Sequence, residues 1–132
     1  MQLLRNWLAG WLAGWYAGGG FNKFLKKQHK EAARLFEKSL KLDSDSKGTG
    51  LIYSCLGRCY LALGQMDKAL QKFSVAYELY QKNVSAVLSE FQRTQYREFL
   101  EAYAYALREV GQFDASQKIA LKAKGLMERK NG

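Results

Sequence analysis

The sequence predicts an all-α fold of antiparallel helix pairs, about three in number, with a hydrophobic amino-terminal helix in front of them. Proline is absent, and glycine is concentrated in the first 20 residues or near the ends of later apolar segments. β-Branched residues are few and form no alternating run of strand length. The segments GQMD at Gly64 and GQFD at Gly111 are nearly identical, which indicates an internal duplication with a turn at each glycine.

Length and charge set wide limits on the function. The 132 residues are enough for one domain that buries a core without disulfides or a structural metal. The formal net charge of +9 favours anionic partners such as nucleic acid, lipid headgroups or acidic peptides, without choosing among them. The sequence leaves the oligomeric state open.

The first 20 residues have an unusual composition, and we distinguish them from a repeat domain over residues 21–132. Residues 7–20 read WLAGWLAGWYAGGG, and the four-residue period places Trp7, Trp11 and Trp15 along one face of a helix. Each glycine of the run at 18–20 costs a helix roughly 1 kcal/mol relative to alanine. The sequence therefore predicts a helix that needs a packing partner.

Three placements of this amino-terminal segment are compatible with its sequence. Tryptophan favours the membrane–water boundary, and the neighbouring Lys23, Lys26, Lys27 and Lys30 would meet anionic headgroups on the cytoplasmic side. A membrane-spanning helix needs about 20 apolar residues, and the apolar run here is shorter, so the segment is only marginally able to span a bilayer. Alternatively, the segment is the first helix of the helix array, or its tryptophans contact a protein partner.

Residues 53–79 read YSCLGRCYLALGQMDKALQKFSVAYEL and carry the signature of a helix-pair repeat. The signature positions are Tyr53, Leu56, Gly57, Tyr60, Gly64, Ala69, Phe73 and Ala76. This pattern resembles the tetratricopeptide repeat. The resemblance implies that Gly57 and Ala69 let two antiparallel helices approach closely, while Tyr60 and Phe73 fill the space between them.

Two weaker matches flank this repeat. The preceding match has a second helix with Ala32, Phe36, Ser39, Leu40 and Leu42. Its first helix is degenerate, because Gly19 stands where leucine is expected, although Tyr16 and Gly20 are in register, so the Trp-rich segment can double as this helix. The following match has Tyr103, Ala104, Leu107, Gly111, Phe113, Ala120 and Ala123, with Ser116 in place of an alanine. Gly64 and Gly111 are 47 residues apart rather than about 34, which predicts unusually long helices on either side of residues 83–85.

The resemblance also implies a function, because repeats of this family generally hold a peptide or a helix on the concave surface formed by the first helices. The groove residues implied here are Ser54, Arg58, Leu61, Glu98, Glu101, Tyr105 and Arg108. Binding of a chaperone carboxylate is disfavoured, because Ala17, Phe21 and Cys55 stand at three of the clamp positions. The sequence thus predicts a cytoplasmic adaptor for a protein partner, placed at the cytoplasmic face of a membrane if Trp7, Trp11 and Trp15 dock there.

Catalysis, cofactors and metals find no support in the sequence, which has one histidine and no nucleophile signature or phosphate-binding loop. Cys55 and Cys59 are expected to be small core residues, and His29 an ordinary surface histidine. The alternative function is nucleic-acid binding by two groups of basic residues, one along an edge of the helix array and one near its carboxyl end. These residues are Lys23, Lys26, Lys27, Lys30, Arg34 and Lys41, and Lys118, Lys122, Lys124, Arg129 and Lys130.

Overall fold

The computed structural model describes residues 1–44, 48–82 and 89–130, with side chains described as far as Leu126. Within these ranges the chain forms six helices. They are α1 (Gln2–Leu25), α2 (His29–Leu42), α3 (Thr49–Ala62), α4 (Met66–Lys82), α5 (Glu90–Glu109) and α6 (Phe113–Lys130). The described residues contain no strand, and the predicted all-α class is confirmed.

The helices associate as three consecutive pairs, α1 with α2, α3 with α4, and α5 with α6. Neighbouring pairs are joined by contacts of α2 with α3 and of α4 with α5, and the first helices also touch, α1 with α3 and α3 with α5. The predicted array of helix pairs is therefore confirmed. The boundary after residue 20 falls inside α1, so the Trp-rich segment forms the first helix of the first pair.

The three pairs turn in the same way, through one residue in the left-handed backbone conformation. This residue is Lys27 (φ 60°) in the first pair, Gly64 (φ 78°) in the second and Gly111 (φ 85°) in the third. In each turn its N–H donates to the carbonyl three residues earlier, over 3.0, 3.1 and 3.0 Å respectively. Glycine adopts this conformation freely, whereas a residue with a Cβ is destabilised there by roughly 1–2 kcal/mol. Lys27 is thus the strained member of the three.

A glycine on the first helix and a phenylalanine on the second hold each of the first two pairs together. A Cβ added to Gly20 would lie 2.7 Å from the Phe36 ring, and one added to Gly57 would lie 2.6 Å from the Phe73 ring. Both rings are fully buried, at 0% exposure. The ring can lie on the backbone of the first helix only because no side chain intervenes. This contact also offsets the weak helix propensity of the glycines at 18–20.

The third pair replaces this arrangement with smaller residues. Ala104 takes the place of the glycine, and Ala120, at the position of the phenylalanine, is exposed. Ser116, which replaces an expected alanine, is buried, and its hydroxyl donates to the Ala104 carbonyl over 2.6 Å. A similar bond links the first pair, where the buried Ser39 hydroxyl donates to the Ala13 carbonyl over 2.7 Å. In both pairs the buried serine hydroxyl has a hydrogen-bond acceptor, which is a backbone carbonyl of the facing helix.

Two apolar clusters form the core, one across α1, α2 and α3 and the other across α3, α4, α5 and α6. Tyr53 and Tyr60 on α3 pack against both clusters and so join them. The long spacing between the last two turns is explained in part by helix length, since α4 has 17 residues and α5 has 20, against 14 each for α2 and α3. Residues 83–85 themselves lie outside the described residues.

Candidate protein-binding surface

The first helices of the three pairs line one shared surface, and Arg58 on α3 lies at its centre. The guanidinium carbon of Arg58 stands 4.8 Å from the centroid of the Phe24 ring on α1. On the other side, Arg58 Nη2 lies 3.4 Å from Glu98 Oε2 on α5. A cation over an aromatic face and a partly exposed ion pair each contribute at most about 1 kcal/mol. Their main effect is to tie α1, α3 and α5 into one surface.

Among the other groove residues implied by the sequence, three on α5 are exposed. Tyr105 is 53% exposed, and Arg108 and Glu101 are exposed as well. Glu101 Oε1 stands 3.5 Å from Arg97 Nη1, one turn earlier on the same helix. Leu61 is half-buried and packs against the core cluster around α4 and α5. The surface therefore offers one large exposed aromatic ring among charges of both signs.

Ser54 lies elsewhere than the sequence implied. It is 1% exposed, and its hydroxyl donates to the Leu51 carbonyl over 2.8 Å. The hydroxyl also interacts with the phenol of Tyr80 on α4. Ser54 is thus a core residue that offers no recognition group to a partner.

A comparison with known families identifies the repeat. Residues 19–82, close to half of the chain, match the family model described as tetratricopeptide repeat. This match supports the tetratricopeptide repeat resemblance over the first two helix pairs. Tetratricopeptide repeats generally mediate protein–protein interaction, and the family is typically non-enzymatic. No curated protein sequence matches this chain.

The sequence did not indicate the position of Phe24 on this surface or of His29 beside it. Phe24, which supports Arg58, occupies the register of Leu61, 37 residues later, and the same interval separates Gly20 from Gly57. Aligning the first two repeats at that interval could have found it. His29 was expected on the surface, but it is half-buried with its ring edge towards Phe24, at 6.3 Å between centroids. Its Nδ1 is shielded from solvent and has no hydrogen-bond partner among the described residues.

A polar network on the edge of the array links the first two tetratricopeptide repeats. The Tyr60 hydroxyl on α3 donates to Glu37 Oε1 on α2 over 2.8 Å. Lys72 Nζ on α4 lies 3.5 Å from the same carboxylate oxygen. Burial, together with the bond to Glu37, raises the pKa of Tyr60 above its usual range. The phenol therefore stays a hydrogen-bond donor to Glu37 at neutral and moderately alkaline pH.

Both cysteines are core residues, as the sequence predicted. Cys55 is 1% exposed, Cys59 is fully buried, and both are free thiols. Burial raises the pKa of Cys55 to about 11 and that of Cys59 to about 12. Because the thiolate is the reactive form, both thiols are chemically quiet at neutral pH. Among the described residues, no group of three His, Cys, Asp or Glu side chains is placed to hold a metal ion.

The tryptophan side chains of α1 form a separate exposed surface. Trp7, Trp11 and Trp15 are 63%, 58% and 63% exposed. The opposite side of α1 is buried against α2, through Ala13 and Ala17. Within the described ranges, none of the helices combines the length and the apolar character needed to cross a bilayer. The tryptophan face is thus an outward surface on a helix that is anchored by its other side.

Proposed function

We propose that this chain is a non-catalytic adaptor that holds a peptide or a helix of a protein partner on the surface of α1, α3 and α5. The observation that carries the proposal is the arrangement around Arg58, which joins the three first helices into one rigid recognition surface. A preorganised surface loses less conformational entropy on binding than a mobile one. The match of residues 19–82 to the tetratricopeptide repeat supports the same function, because such repeats generally mediate protein–protein interaction.

Within this surface, Tyr105 is the best candidate for an anchor. Tyrosine, tryptophan and arginine carry a disproportionate share of the binding energy at protein interfaces. Tyr105 combines an accessible ring with a phenol that can hydrogen-bond to a partner backbone. Leu61 offers a partly exposed apolar contact on α3, while Glu101 and Arg108 supply charges that set orientation and exclude unsuitable partners.

Site-specific photo-crosslinking in cells of the source organism tests this proposal. A photoreactive amino acid is placed at Tyr105, at Leu61 and, as a control, at the exposed Gln117 on the second helix of the last pair. We expect one discrete partner to crosslink at residues 105 and 61 but not at 117, and Tyr105→Ala to weaken the isolated complex by about tenfold or more. Equal crosslinking at all three positions, or none at 105 and 61, would refute the assignment of the surface.

We propose in addition that the tryptophan face rests on the cytoplasmic surface of an anionic membrane, so that the adaptor works beside the bilayer. Trp7, Trp11 and Trp15 are exposed on the side of α1 that faces away from α2. Indole rings favour the headgroup region, where the apolar ring and the polar N–H are both accommodated. Lys26, directly after the end of α1, is exposed and can meet anionic headgroups.

Vesicle binding separates this membrane proposal from the protein-binding one. We expect the wild type to co-sediment with vesicles of phosphatidylcholine and phosphatidylserine. The triple variant Trp7→Ser, Trp11→Ser and Trp15→Ser should partition at least about tenfold less, because it loses most of the apolar area that enters the interface.

The matched control replaces three exposed apolar residues elsewhere, Phe91, Phe113 and Leu121, with serine. This variant should sediment like the wild type. If the wild type stays in the supernatant, or if both triple variants lose binding equally, the membrane proposal is wrong, while the crosslinking result stands on its own.

A further inference from the structure

A basic groove lies on the turn edge of the first two repeats, away from the surface of the first helices. It has a volume of about 930 Å³ and runs between the end of α1, the start of α2, the end of α3 and the start of α4. Five of the residues that line it are lysine or arginine. They are Lys23, Lys27, Lys30, Arg34 and Lys68.

The two carboxylates in the groove are already engaged by the protein. Glu31 forms an ion pair with Arg34, and this contact lowers the pKa of Glu31, so that it stays ionised. Glu37 accepts the hydrogen bond from Tyr60 and pairs with Lys72, which approaches from α4. No carboxylate in the described part of the chain comes within ion-pair distance of Lys23, Lys27 or Lys30. The groove therefore keeps an excess of positive charge for a ligand.

The backbone at Lys27 gives a second and independent indication. The equivalent turns of the second and third pairs have glycine at this left-handed position, namely Gly64 and Gly111, and the hydrogen bonds of the three turns are the same. Glycine would thus suit the fold better at residue 27. A lysine held in an unfavourable backbone conformation beside a groove is the kind of outlier that points to a function for its side chain.

We propose that this groove binds an acidic segment of a protein partner. Discrete carboxylates of a peptide can meet Lys23, Lys27, Lys30 and Lys68 and avoid Glu31 and Glu37, which interrupt the positive surface. Between the charges, Leu63, Ala33 and the Tyr60 ring offer apolar contact to the side chains of a peptide. A phosphate backbone is a poorer match, because its unbroken negative charge would be forced against the two glutamates.

Fluorescence anisotropy with the full chain tests this inference. The probes are a short labelled peptide of glutamate, aspartate and leucine, the same peptide with its acidic residues amidated, and a mixed-sequence single-stranded RNA. We expect the acidic peptide to bind more tightly than both other probes, and its affinity to fall between about 50 and about 200 mM NaCl. Tighter binding of the RNA, or equal binding of the two peptides, would overturn the proposal.

Variants of single lysines locate the binding site. Lys27→Gly should weaken binding of the acidic peptide by about fivefold to tenfold, and it introduces the residue that the other two turns already have, so the fold is retained. Lys30→Gln should have a similar effect. Lys41→Gln removes the same charge from the opposite end of α2 and should leave the affinity within about twofold of the wild type. Equal losses in all three variants, or no loss in Lys27→Gly, would show that the groove is not the site.

The proposal does not depend on the surface around Arg58. Crosslinking at Tyr105 and peptide binding at Lys27 can each succeed or fail without the other, so the two experiments distinguish the two sites.

Discussion

Replacing Phe73 with alanine is expected to destabilise the protein by about 3–5 kcal/mol. The ring is fully buried and lies on the backbone of α3 at Gly57. It also packs against the rings of Phe99 and Tyr103 on α5, each at 5.6 Å between centroids. Its removal would leave a cavity at the junction of three helices, which the surrounding backbone cannot fill.

Urea unfolding followed by circular dichroism measures this effect. A small domain is stable by only about 5–15 kcal/mol, so the variant should lose a large part of its folding free energy. Phe91→Ala is the matched control, because Phe91 is 65% exposed and its loss should change stability by no more than about 0.5 kcal/mol. Similar losses in the two variants would contradict the packing at the second repeat.

Gly57→Ala is expected to destabilise the protein by about 1–3 kcal/mol, against the direction of helix propensity. On a free helix this substitution would be stabilising by up to about 1 kcal/mol. Here the new methyl group would lie 2.6 Å from the Phe73 ring, which the rings of α5 hold in place. The clash with a buried ring outweighs the gain in propensity.

Gly14→Ala provides the matched control for this substitution. Gly14 also lies inside a helix, but a Cβ at this position would meet nothing within 4 Å. The substitution should therefore stabilise the protein by about 0.5–1 kcal/mol. Opposite signs for the two variants are the expected result of urea unfolding. Stabilisation by both would mean that Phe73 does not lie on Gly57.

The helix pairs could be predicted because their determinants are local. Tyr53, Gly57 and Phe73 stand within one repeat, and their resemblance to the tetratricopeptide pattern indicates which faces of two consecutive helices meet. The turn glycines at 64 and 111 mark where each pair reverses. The departure at residue 27 is a lysine in the same conformation, and the 37-residue interval that aligns Gly20 with Gly57 also aligns Lys27 with Gly64.

The candidate site was predicted less completely. Arg58 and Glu98 were expected near each other and form an ion pair, and Tyr105 is exposed on α5, whereas Ser54 is buried and Phe24 was missed. The place of a residue in the repeat pattern predicts only the face of the helix on which its side chain lies. Whether the side chain is exposed depends on how closely neighbouring helices pack, and Ser54 is covered although its place in the repeat indicated the concave surface.

The amino-terminal segment shows most plainly what the sequence determines and what the tertiary structure decides. The period of four residues determined that Trp7, Trp11 and Trp15 share one face, because that follows from helix geometry alone. Three placements of the helix remained open, since its glycines and alanines suit any close partner. The packing of α1 on α2, with Gly20 beneath the ring of Phe36, decided that this helix completes the first repeat and that the tryptophans point outwards. Sequence periodicity sets the faces of a helix, but the contacts made with distant residues select which face is buried.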